Sequence, residues 1–140
     1  MFYFVFGGSH QGKWSYVKNN LVKEKTLYLD GHDAEIDLEW PEAVESIAFN
    51  AFHHWVKRVL AVEREPQPII AKLIQASKGR ELIIICDDLS CGLVSASPLD
   101  RRYRAVLGKS MQYLSAEADR VIRLLAGIEI ILKDEIKVEE

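Results

Sequence analysis

Apolar residues fall along the chain in short uninterrupted runs separated by segments of helical spacing. Residues 2 to 6 are all aromatic or β-branched, the pattern of a strand buried on both faces. A glycine-rich turn follows from Gly7 to Gly12. Trp14, Val17 and Leu21 then share one face of a helix predicted over Lys13 to Lys23. Leu27 to Leu29 reads as a short second strand, closed by the turn-prone pair Asp30-Gly31.

Residues 32 to 40 place Asp or Glu at alternating positions and read as a loop or an edge excursion. Pro41 to Ala61 admits two readings. Val44, Ile47, Ala48, Ala51, Phe52, Trp55, Val56, Val59 and Leu60 fit one continuous amphipathic helix with Pro41 at its first position. Alternatively, Ser46 to Phe49 is a short strand and a helix starts near Phe52. Periodicity alone favours the single helix.

Glu65-Pro66-Gln67-Pro68 breaks the chain, Ile69 to Ala76 forms another helix, and Lys78-Gly79-Arg80 stops it. Glu81 to Cys86 is the clearest strand, an apolar run ending in Asp87-Asp88. A loop with Ser90, Gly92, Ser95 and Pro98 leads to a helix over Leu99 to Glu117. Arg120 to Leu125 is a strand, Gly127 a turn, Ile128 to Lys133 a last strand, and Asp134 to Glu140 a charged end that frays. Strands alternating with helices predict an α/β fold with a largely parallel sheet in a single domain, residues 1 to 140.

Composition narrows the class. The 140 residues are 49% hydrophobic and 28% charged, enough for one core and too apolar for a mostly disordered chain. A formal charge of −3 argues against a dedicated nucleic-acid binder, whose footprint is basic. The two cysteines, Cys86 and Cys91, give neither a disulfide framework nor a zinc spacing, and fit a reducing compartment, hence the cytoplasm. No run approaches the roughly 18 apolar residues of a membrane span, and the apolar start lacks the charged lead-in of a secretory signal.

The strongest local chemistry is Gly7-Gly8-Ser9-His10-Gln11-Gly12-Lys13, with the GxxxxGK spacing of a phosphate-binding loop between a predicted strand and helix. Glycines let successive backbone N–H groups turn inward around phosphate oxygens, and the helix N-terminus adds partial positive charge. Lys13 supplies a full charge to the β and γ phosphates. The next position should carry a hydroxyl for Mg²⁺, yet it is Trp14; Ser15 lies about 100° further round the helix. Phosphate binding is therefore better supported than Mg²⁺-dependent catalysis.

Ordered motifs in the second half carry a resemblance. They are Cys86-Asp87-Asp88-Leu89-Ser90-Cys91-Gly92-Leu93-Val94, Leu99-Asp100-Arg101-Arg102-Tyr103-Arg104, Gly108-Lys109-Ser110-Met111-Gln112-Tyr113-Leu114, Ala118-Asp119-Arg120-Val121, Ala126-Gly127 and Leu132-Lys133. With the phosphate loop at the correct end, this succession resembles the adenosylcobinamide kinase / adenosylcobinamide-phosphate guanylyltransferase family of cobalamin biosynthesis. The resemblance covers residues 2 to 24 and roughly 80 to 133. It implies a P-loop NTPase-like (RecA-like) fold, a homo-oligomer, GTP or ATP with Mg²⁺ as cofactors, and a corrinoid (adenosylcobinamide) substrate phosphorylated on its aminopropanol hydroxyl. It further implies that Lys13 and the loop from Gly7 to Ser15 hold the triphosphate, with Asp88 where the family has a glutamate.

The departures from the family are specific. Trp14 replaces the loop serine, and aligning Ser46 to Ala51 with the family strand that bears a second metal-associated acid places Asn50 at that acid and favours the strand reading. The segment that carries the family's nucleotidyl-accepting histidine is shorter and lacks its arginines, although it contains His32. These changes put a kinase ahead of a guanylyltransferase, and leave a degenerate nucleotide-binding or assembly domain as the alternative.

Remaining candidates are weaker. His10 in the loop could reach phosphate. His32 between Asp30 and Asp33 fits a polar turn. His53 and His54 face about 100° apart on a helix, and His54 with Lys57 or Arg58 reads as a solvated face. Arg101, Arg102 and Arg104 could neutralise a triphosphate or pair with Asp100 and Glu117. Trp40 and Trp55 read as packing anchors, Cys86 as buried and Cys91 as a loop thiol.

Overall fold

The apolar run at the start of the chain becomes β1 (Phe2–Gly7), the strand on which the rest of the sheet is assembled. In the computed structural model, which describes residues 1–9, 11–88 and 97–135, β1 pairs in parallel with β4 (Glu81–Asp87) on one side and β5 (Arg120–Leu125) on the other. Beyond β4 lie β3 (Ser46–Asn50) and then β2 (Leu27–Asp30), both parallel. Beyond β5 lies β6 (Ile128–Asp134), the one antiparallel member, giving the order β2-β3-β4-β1-β5-β6. This is the expected α/β architecture with a largely parallel sheet.

The helices cover the sheet unequally. α1 (Lys13–Asn20) packs on one face, where Val5, Ala48, Ile83, Ile85, Ile122 and Leu124 meet Val17. α2 (Phe52–Ala61), α3 (Pro66–Ala76) and α4 (Pro98–Glu117) cover the other, around Phe4, Phe49, Phe52, Trp55 and Ile70. Among the described residues no helix is long and apolar enough to cross a membrane.

Residues 41 to 61 do not form the continuous helix that periodicity favours. Ile47, Ala48 and Phe49 are fully buried in β3 between two neighbouring strands, so both sides of the segment must be apolar. A strand of that kind satisfies helical spacing by default, because no polar face exists to contradict it. Ala51, at φ 55°, makes the one-residue left-handed turn from β3 into α2. Smaller differences follow from caps: α1 stops at Asn20 rather than Lys23, and α3 begins at Pro66 because proline suits the first helical turn. α4 likewise starts at Pro98, with the Ser97 hydroxyl accepting from the Asp100 N–H at 3.4 Å.

Candidate phosphate-binding site

β1 delivers the glycine-rich loop at its carboxyl end. A side chain at Gly7 would place its Cβ 2.5 Å from the Leu124 carbonyl oxygen, so the strand can exit beside β5 only as glycine. Gly12 adopts φ 84° and caps α1, and Lys13 is the first helical residue. The Lys13 side chain is 8% exposed, and its amine donates to the Gly8 carbonyl at 2.7 Å and pairs with Asp87 Oδ1 at 2.7 Å. Gln11 fastens the loop to the β5–β6 turn: its Oε1 accepts from the Ala126 N–H at 2.5 Å and its carbonyl from the Gly127 N–H at 3.0 Å.

Of the two acids that end the core strand, Asp87 is the one on the lysine. Asp88, the residue singled out by the resemblance, ties its backbone N–H to the Gly7 carbonyl at 2.8 Å and so extends the β1–β4 ladder. Asp87 is partnered on its far side by His53, whose Nδ1 accepts the Asp87 N–H at 3.0 Å and whose Nε2 lies 3.3 Å from Oδ2. Burial pushes the His53 pKa down to about 4, so the ring is neutral at ordinary pH. The Tyr103 hydroxyl donates to the His53 carbonyl at 2.9 Å.

Three adjoining depressions open at the carboxyl ends of the strands, and Asn50 lines all of them. The first, about 210 Å³, is walled by the loop from Gln11 to Ser15 and by Asp87. The second, about 180 Å³, is lined by His32, His53, His54 and Asp87, with the His54 ring tilted against the other two at centroid distances of 4.0 and 4.3 Å. The third, about 220 Å³, runs between Trp14, Tyr28, Asp30 and Asp33. Burial works to raise the Asp30 pKa, but hydrogen bonds from the His32 backbone and ring outweigh it and hold the carboxyl below its usual range.

The structure therefore brings together Gly7, Gly8, Gln11, Gly12, Lys13, Trp14, Ser15 and Asn50, with Ser9 exposed on the loop. His10, Cys91 and the loop from Leu89 to Ala96 lie outside the described residues. Trp14 packs edge-on against Tyr28 at 5.4 Å, on the wall shared by the first and third depressions. Arg104 pairs with Asp100 and Arg102 approaches Glu65, and neither lines the first depression. Cys86 is buried and its thiol pKa is driven well up, so it is inert packing. Sequence reasoning missed Asp87 as the lysine's partner, and took His53 only as one of two adjacent helical histidines facing about 100° apart. The signal for His53 was its place immediately after a strand end, visible only if residues 46 to 50 are read as a strand.

The donor set fits one kind of Mg²⁺ site. Among the described residues no three His, Cys, Asp or Glu side chains are grouped to hold a metal on their own. Mg²⁺ commonly takes one or two carboxylates and completes its shell with phosphates and water. Asp87 and Asn50 supply such oxygens beside Lys13, whereas Trp14 brings none. These residues fit a metal carried in on a triphosphate.

The sequence profile of the cobinamide kinase / cobinamide phosphate guanyltransferase family matches residues 44–132, from just before β3 into β6. No individual curated protein matches the chain. The profile match begins after the phosphate loop, so the loop and the family assignment rest on separate parts of the chain. Strand order, a glycine-rich loop after the central strand and this match agree: the chain belongs to the cobinamide kinase / cobinamide phosphate guanyltransferase family of nucleotide-binding, P-loop-type α/β proteins of cobalamin biosynthesis.

Proposed function

We propose that the protein binds a purine nucleoside triphosphate, GTP or ATP, at the loop from Gly7 to Ser15 and transfers its terminal phosphoryl group to the hydroxyl of a cobinamide. The observation that carries this reading is Lys13, buried at the head of α1 and held over the phosphate cavity by two oxygens. Phosphoryl transfer asks mainly for positioning and charge stabilisation. The loop N–H groups and α1 N-terminus orient the phosphates, and Lys13 exchanges its bond to Asp87 for one to a phosphate oxygen. Mg²⁺, held by Asp87 and Asn50, would neutralise phosphate charge when bound. The depressions over β2 and β3 leave room beside the loop for the hydroxyl-bearing arm of the acceptor.

A second reading is favoured by Trp14: a nucleotide-binding domain without turnover, since the loop offers no hydroxyl to the metal. Calorimetric titration with GTP and ATP, with and without Mg²⁺, separates the readings. Binding that tightens with Mg²⁺, followed by phosphorylation of adenosylcobinamide, supports the kinase. Binding indifferent to Mg²⁺ supports the non-catalytic domain, and no binding at millimolar nucleotide removes both. Lys13→Ala should weaken binding by about tenfold or more, the loss of one charge-assisted hydrogen bond. Trp14→Ser should make affinity more dependent on Mg²⁺.

A further inference from the structure

His53 is buried, touches the Asp87 carboxylate that grips the loop lysine, and has no part in the proposed chemistry. Its position answers a hydrogen-bonding problem at the end of β4. In a parallel ladder, successive N–H groups point to opposite neighbours. The Asp88 N–H points to β1 and is taken by the Gly7 carbonyl. The Asp87 N–H therefore points the other way, towards β3, whose pairing with β4 ends at Phe49 and Ile84 because Ala51 turns the chain into α2.

That donor would be left unpaired in a largely buried place, which is costly. The turn at Ala51 carries His53 to it instead, and the imidazole Nδ1 accepts the bond at 3.0 Å. The same ring sits against Asp87 Oδ2, and Oδ1 is thereby turned to Lys13 at 2.7 Å. Tyr103 on α4 holds the His53 carbonyl, so the backbone that carries the ring is fastened to another helix as well.

We propose that His53 is a positioning residue for Lys13: it closes the unpaired end of β4 and so fixes the Asp87 carboxylate that holds the loop lysine over the phosphate cavity. The effect on nucleotide affinity rests on the proposed function above; the hold on Lys13 does not.

Two measurements test the proposal on the nucleotide-free protein. The first is a through-hydrogen-bond ¹⁵N–¹⁵N coupling between the Asp87 amide and His53 Nδ1 in labelled wild-type protein, expected to be present; its absence overturns the proposal. The second is the rate of Lys13 acetylation by acetic anhydride, read by peptide mass spectrometry. His53→Phe fills the space without an acceptor, and should raise that rate by about tenfold, the factor carried by one charge-assisted hydrogen bond. His53→Asn returns an acceptor oxygen and should bring the rate back near wild type.

An unchanged rate in a folded His53→Phe protein, or His53→Asn as reactive as His53→Phe, overturns it. If His53→Phe does not fold, His53→Asn and the coupling decide: near-wild-type labelling supports the proposal, and labelling at the rate of a free lysine overturns it. ATP and GTP titrations form a separate arm, in which His53→Phe should weaken binding severalfold and His53→Asn restore it. If the wild type binds neither nucleotide, the functional reading fails while the labelling still decides the role of His53.

Discussion

A buried lysine beside a carboxylate costs both groups their hydration, and the pair holds only when each remaining donor and acceptor is satisfied. Lys13 meets that condition with Gly8 and Asp87, and Asp87 meets it with Lys13 and His53. The lysine was legible because GxxxxGK is a local pattern. Which of Asp87 and Asp88 faces it depends on the register Gly7 to Asp87, and register is a property of two strands that no local spacing encodes. His53 also sets a pH dependence. Its folded pKa, about 4, lies below the ordinary 6.5, so the unfolded chain binds the proton more readily. Stability should be complete above pH 6.5 and fall as pH drops from there to 4, by about 2 to 3 kcal/mol. Urea melts at pH 7.5 and 4.5 should show that loss in the wild type and much less of it in His53→Asn.

Between β2 and β3, residues 31 to 45 form no helix or strand, yet side chains of α2 and of the turn that follows it hold them. Arg58 donates to the Gly31 and Ala34 carbonyls at 3.1 and 2.6 Å, the Trp55 indole donates to the Glu35 carbonyl at 3.1 Å, and Arg64 grips Asp37 with both terminal nitrogens. Arg58 is thus a clamp rather than part of a solvated face, and Trp55 is a packing anchor with a polar task. The acidic composition of the segment announced a loop but not its anchors, since these come from side chains 20 to 27 residues further along. Gly31 lies so close to the β3–α2 turn that a Cβ there would fall 1.9 Å from the Ala51 carbonyl oxygen. Relief requires moving backbone, so Gly31→Ala should destabilise the fold by about 3 kcal/mol. Chemical denaturation checks it, and a loss below 1 kcal/mol would mean that the turn yields easily.

Across the whole molecule, the alternation of strands and helices made the sheet legible, whereas its order was not, because pairing between distant strands leaves no mark in either sequence. The unequal cover leaves β6 bare: Ile128 is 68% exposed and Leu132 56%. Amide hydrogen exchange should accordingly be slowest in β1 and β4 and fastest along the outer edge of β6; equal protection in solution would mean that β6 is covered by something else. The fastening of Gln11 to Ala126 and Gly127 has a temporal consequence. On the ribosome the glycine-rich loop emerges more than a hundred residues ahead of the groups that brace it. Its strand, β1, likewise waits for β4 and then β5 before it has a neighbour on either side. The loop is therefore completed long after it is made, and a nascent chain cut short before the β5–β6 hairpin carries the phosphate-loop sequence without its brace.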